Sequence, residues 1–182
     1  MTSNRLLQND YYANRVDGWL SLSGGRIGPV ELPASFFAWR EGRPRIQMPV
    51  DGPGPGRAVP PNCDISFIFA TGELEIVKLP ETSPWAEKYG AGPRVRLPDI
   101  VDTEKGQVSD VASDRGPSWG REARPGTAEI YVFPNGQGGR IIADVIRRDK
   151  GHTEGLEPKI TEELIKMMVA APGGKLRSMG RL

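Results

Sequence analysis

The chain is poor in the residues from which reactive sites are most often built. Among its 182 residues there is one cysteine, Cys63, and one histidine, His152. A single cysteine excludes an intramolecular disulfide and any zinc or iron–sulfur site made from several thiolates. A single imidazole excludes a His–His metal pair. No apolar run approaches the roughly 18 residues of a membrane span, and the opening MTSNRLLQNDYYANR lacks the apolar stretch of a secretory signal. An excess of charge of one sign is missing too. Lys and Arg number 24 against 23 Asp and Glu, for a formal net charge of +1. A dedicated nucleic-acid binder carries a basic stripe, so nucleic acid is not expected as the main partner. The expectation is a cytoplasmic chain in a reducing compartment, without a membrane span, cofactor or small-molecule ligand.

Glycine and proline are abundant, at 23 and 17 residues. Leu, Ile, Val and Phe total 41, a little above the fraction below which chains tend to stay disordered. A core is affordable only if it is small and interrupted by irregular chain. Arginine outnumbers lysine 17 to 7, which reads first as a GC-rich coding bias. Residues 1–60 carry 7 basic and 5 acidic groups, 61–135 carry 8 and 12, and 136–182 carry 9 and 6. Basic ends around an acidic middle suit head-to-tail contact between copies, although a solvated surface accounts for the same counts.

Ser3 to Val16 reads as a short helix capped by Ser3, with Leu7 and Tyr11 on one face and Gly18 beyond its end. Trp19 to Ser23 alternates like a strand. Leu32 to Arg40 is aromatic-rich, and its period does not separate strand from helix. Residues 41–62 hold six prolines and four glycines, the composition of an extended loop or arm. Ile65–Ala70 and Glu73–Leu79 flank Thr71-Gly72 and read as a hairpin whose second strand turns Leu74 and Ile76 inward and Glu73 and Glu75 outward. Residues 80–126 have no period and read as a second arm. Glu129–Phe133 and Arg140–Ile146 form a hairpin around Asn135-Gly136, a turn cue supplying two residues that tolerate positive φ. Pro158 to Ala171 reads as a helix with Ile160, Leu164, Met168, Ile165 and Val169 as its apolar stripe, stopped by Pro172-Gly173-Gly174. Residues 175–182 are a basic tail.

The expected fold is therefore α+β, mainly β: a single domain over 1–182 with a small antiparallel sheet or sandwich, a helix near each terminus and two long Gly/Pro-rich arms. Its core is expected from Trp19, Leu20, Leu22, Phe67, Phe69, Leu74, Ile76, Tyr131, Phe133, Ile141, Val145, Leu164 and Met168.

Candidate chemistry is thin. His152 lies in a polar loop where Glu154 or Asp149 would orient it as a general base; the plain alternative is a solvated loop histidine. Cys63 becomes a nucleophile only if the fold brings His152 to it, and otherwise is a small buried residue. Glu73 and Glu75 would form a carboxylate pair with Asp64 or Glu129, or else be the wet face of a strand. Gly24-Gly25-Arg26, Gly136-Gln137-Gly138-Gly139-Arg140 and Gly173-Gly174-Lys175 pair glycines with a cation but lack phosphate-loop spacing. Lys175, Arg177 and Arg181 are too few to hold nucleic acid tightly.

With no catalytic constellation, the two arms lead to the expectation of a structural subunit, not an enzyme, in a large assembly such as a phage or virion capsid, connector or tail. Its partners are copies of itself or other subunits. Trp39, Trp85, Tyr89 and Trp119, with Arg121 and Arg124, are the candidate interface residues docking on a neighbour. Localisation would be cytoplasmic before assembly and in the virion or another large complex after it. The alternatives are a small enzyme using Cys63 with His152 or the acidic residues, and a secretion or pilus subunit. For the latter, a leading helix before a small sheet and the run Ile130-Tyr131-Val132-Phe133-Pro134-Asn135-Gly136 are similar to the soluble domains of minor pseudopilins. That similarity implies a chain trimmed of the family's apolar N-terminal span.

Overall fold

A computed structural model describes residues 6–7, 9–23, 26, 63–76, 78–108, 119–120, 122–155 and 157–171. Among them the class is α+β and mainly strand. In chain order the elements are α1 (Asp10–Ala13), β1 (Gly18–Leu22), β2 (Ser66–Gly72), α2 (Pro84–Lys88), β3 (Val95–Asp102), β4 (Gln107–Val108), β5 (Gly126–Val132), β6 (Ile142–Arg147), β7 (Glu154–Gly155) and α3 (Pro158–Ala170). Five strands form one sheet in the order β1-β2-β6-β5-β3, and β4 pairs with β7 in a second, two-stranded one. The Leu32–Arg40 patch, the arm at 41–62 and the tail at 175–182 lie outside the described residues.

The sheet is mixed, where an antiparallel one was expected. β1 runs parallel to β2, with Trp19 opposite Phe67, and β2 runs parallel to β6, with Phe69 opposite Asp144. β5 and β3 complete it in antiparallel fashion. β2 is buried along its whole length, as a central strand covered on both faces must be. The expected hairpin at Thr71-Gly72 does not form. Gly72 stays in the strand, and Glu73–Glu75 is a single 3-10 turn. A Cβ on Gly72 would overlap the carbonyl oxygen of Lys150, so the glycine lets the 150s loop close on the strand end instead of reversing the chain. Glu75 is consequently buried, not on a wet face.

The second hairpin forms as expected. β5 and β6 pair antiparallel across a turn in which Asn135 takes φ 61°. α3 also matches in position, with Pro158 in its first turn; of the expected stripe Ile160 and Leu164 are buried, whereas Ile165 and Val169 are exposed. The N-terminal helix is interrupted. The Asn9 side chain accepts from the Tyr11 N–H and restarts it, which leaves Leu7 buried but turns Tyr11 out to 61% exposure.

Residues 80–126 are not a single arm. Pro84 opens α2, whose Trp85 is 0% exposed and stacks on Phe67 at 4.8 Å. Val95–Asp102 becomes the edge strand β3, with a register shift between Leu97 and Ile100 that admits Pro98. Phe67, Phe69, Trp85, Tyr89, Phe133 and Ile142 form the core on one sheet face, with Leu7 and Ala13 against it. Ile68, Ala70, Ala128, Ile130, Ala143 and Val145 face Ile160 and Leu164 of α3 on the other. Of the expected core, Phe67, Phe69, Phe133, Val145 and Leu164 are buried, whereas Leu22 lies exposed at the end of the edge strand β1.

Candidate functional site at the parallel strand ends

Because β1, β2 and β6 are parallel, their C-terminal ends meet at one edge, where open sheets of this kind commonly place binding groups. Ser23 follows β1, Thr71 and Gly72 end β2, and Arg147 ends β6. The 150s loop folds over them.

Glu75 is the hub. One carboxylate oxygen accepts from the Ser23 hydroxyl at 2.7 Å, from the Gly72 N–H at 2.6 Å and from the Thr71 hydroxyl at 3.3 Å. The other lies 2.7 Å from His152 Nδ1. The orienting acid of His152 is thus Glu75, distant in sequence, and not Glu154 or Asp149. The imidazole is 30% exposed and its ring lies 4.7 Å from that of Trp119. The Trp119 carbonyl accepts from the Thr153 N–H at 2.7 Å, which ties the segment before β5 to the same loop.

Behind the hub is a buried ionic cluster. Lys150 Nζ sits 3.0 Å from Glu157 Oε1, an ion pair whose angle is not that of a directed hydrogen bond, and donates to the Arg124 carbonyl at 2.7 Å. Arg147 lies 3.8 Å from Glu157, bonds the Glu154 carbonyl and donates to Ser23 Oγ at 3.2 Å. Burial pushes the Arg147 guanidinium below its ordinary value against the pull of Glu157, Glu75 and Glu154. Arg124 pairs with Glu154 at 3.1 Å and with Asp149. Burial raises the Glu154 carboxyl, but donation from the Gly151 N–H and Arg124 outweighs it and holds the group low. The cluster fixes the link from β6 to α3 and so holds His152 over Glu75.

No protein-family model, curated protein or solved structure matches the chain. The site is therefore read from its own geometry.

The other sequence candidates are dispersed. Cys63 is buried before β2, while Glu75 and His152 lie past its far end, with the strand's seven residues, about 23 Å at roughly 3.3 Å each, between them. That separation excludes the Cys63–His152 dyad. Asp64 binds Arg140 at 2.7 Å at the same remote edge. Glu73 and Glu129 do converge, but on Arg148, at 2.6 and 3.5 Å, with Arg96 also 3.4 Å from Glu129; Glu75 is not with them. Among the candidate interface residues, Trp85 and Tyr89 are inside the core of their own chain and so are not surface anchors. Trp119 and Arg124 belong to the strand-end site, and Trp39 and Arg121 lie outside the described residues. The missed signal was the four-residue spacing of Trp85 and Tyr89 just after Pro84, which marks a buried helical face. Nothing local marks Ser23, Glu75 and Arg147 as partners.

Proposed function

We propose that the chain is a structural subunit of a larger protein assembly, of the kind that builds virion capsids, connectors or tails, and that a second copy of the chain is its immediate partner. The observation that carries this reading is a pair of apolar patches on opposite faces of the sheet. On the face covered by α1, Leu6, Tyr11 and Tyr12 are exposed. On the face covered by α3, Ile165 and Val169 are 47% and 65% exposed, one helical turn apart. Two unlike patches on helices that pack on opposite sheet faces favour a heterologous, head-to-tail contact, which propagates into rings or filaments. The basic ends and acidic middle of the sequence support the same arrangement. No helix among the described residues is long and apolar enough to cross a membrane.

Light scattering of the full chain over a concentration series tests the reading. Wild type is expected to assemble, and Tyr11→Glu and Val169→Glu each to give monomers. Mixing the two variants leaves one intact patch of each kind, so the mixture is expected to form dimers and no larger species. A wild-type monomer at every concentration overturns the proposal.

A further inference from the structure

Ser23 carries a second feature that assembly does not require. It closes β1, still bonded through its N–H to the Ala70 carbonyl at 2.7 Å, yet it adopts φ 47°. The other non-glycine described residues with positive φ are Asn135 and Asp149, types that tolerate this region far better than serine does. Strained backbone persists where the surroundings over-determine it, and such positions cluster at reactive sites. The local sequence Ser21-Leu22-Ser23-Gly24-Gly25 places small residues two before and two after Ser23. That spacing is the one of the Gly-x-Ser-x-Gly motif that presents a nucleophile after a strand, with Ser21 in place of its first glycine.

The surroundings supply the remaining parts. Ser23 is half-buried; its Oγ donates to the buried Glu75 carboxylate at 2.7 Å and accepts from the Arg147 guanidinium at 3.2 Å. The second Glu75 oxygen is held by His152. We propose that Ser23 is a nucleophile for acyl transfer from small carboxylic esters, with Glu75 as its proton acceptor. Oγ attacks the ester carbonyl carbon, whose π electrons pass to the carbonyl oxygen, while the Oγ proton passes to Glu75; Arg147, bonded to Oγ, holds the hydroxyl toward that carboxylate. The alcohol leaves with that proton, the acyl group remains on Oγ, and water then releases it as the carboxylic acid. His152 is a positioning residue acting through Glu75.

The test is labelling of the full chain with a phosphonyl fluoride probe, in which an Oγ–P bond forms, the P–F bond breaks and HF leaves. Intact mass and peptide mapping are expected to show one adduct per chain, on Ser23. No adduct on folded wild type, or an adduct on other serines only, overturns the proposal without any variant. Ser23→Ala is expected to abolish labelling, and Glu75→Gln to slow it about 100-fold. Ser21→Ala, on the same strand, is expected to leave it unchanged. His152→Asn is expected to retain the labelled residue but change the pH profile of the labelling rate, and an unchanged profile removes its assigned role.

Discussion

Asp102, the last residue of β3, caps a helix to which it is not joined. Its Oδ2 accepts from the Lys159 N–H at 2.7 Å and from the Ile160 N–H at 3.3 Å, in the first turn of α3, and its Oδ1 accepts from the Glu104 N–H at 2.9 Å. Asp102→Ala removes a cap worth about 1–2 kcal/mol and a negative charge at a helix N-terminus worth about 0.3–1 kcal/mol. The Glu104 N–H sits on an exposed turn and recovers water, so the expected loss is about 2 kcal/mol, or roughly 4–8 °C in Tm for a chain of this length. Asp102→Asn keeps an acceptor and loses the charge, and is expected to cost about half as much. Burial pushes the Asp102 carboxyl up, but donation from the Glu104, Ile160 and Lys159 N–H groups and the Lys159 charge outweigh it and hold the carboxyl low. Because the folded value is depressed, the contribution is present above the unfolded value of about 3.9 and is lost as pH falls through the folded one. The gap between wild type and Asp102→Asn in urea unfolding should therefore be full at pH 7 and close as pH falls through the depressed folded value. An Asp102→Ala variant as stable as wild type at pH 7, or a gap that widens in acid, refutes the capping argument.

Tyr89 should make the fold sensitive to alkali, since burial pushes its phenol up to about 12 while its hydroxyl accepts from the Ile65 N–H and donates to the Cys63 carbonyl. Its stabilisation is full below about pH 10 and fades toward 12 by about 2–3 kcal/mol. Tyr89→Phe costs about 1–2 kcal/mol at neutral pH and should lack that alkaline loss in a pH series of urea melts. Arg26 and Asp144 form a buried bidentate pair at 2.9 and 2.7 Å. Removing either partner should cost about 3–5 kcal/mol, whereas Arg26→Met with Asp144→Leu should lie close to wild type. Additive losses in that cycle count against the pair.

Elements with a local cause were legible in the sequence. The Asn- and Gly-rich run between two β-rich segments marks a chain reversal, because Asn135, Gly138 and Gly139 there take positive φ. Pro158, the spacing of Ile160 and Leu164 and the Pro172-Gly173-Gly174 stop specify α3 in the same way. Composition alone excluded an intramolecular disulfide and metal sites built from several thiolates of one chain. The parallel pairing of β1, β2 and β6 had no local cause. β2 is buried on both faces, so it shows no alternation, and the Thr71-Gly72 step that resembles a turn is a site of backbone contact with Lys150. Only that pairing brings the three strand ends to one edge, and with them Ser23, Glu75 and Arg147. A carboxylate on the wet face of an isolated strand and one buried beneath His152 have the same sequence. Which of them Glu75 becomes depends on whether the 150s loop, arriving from the far end of the chain, excludes water from it.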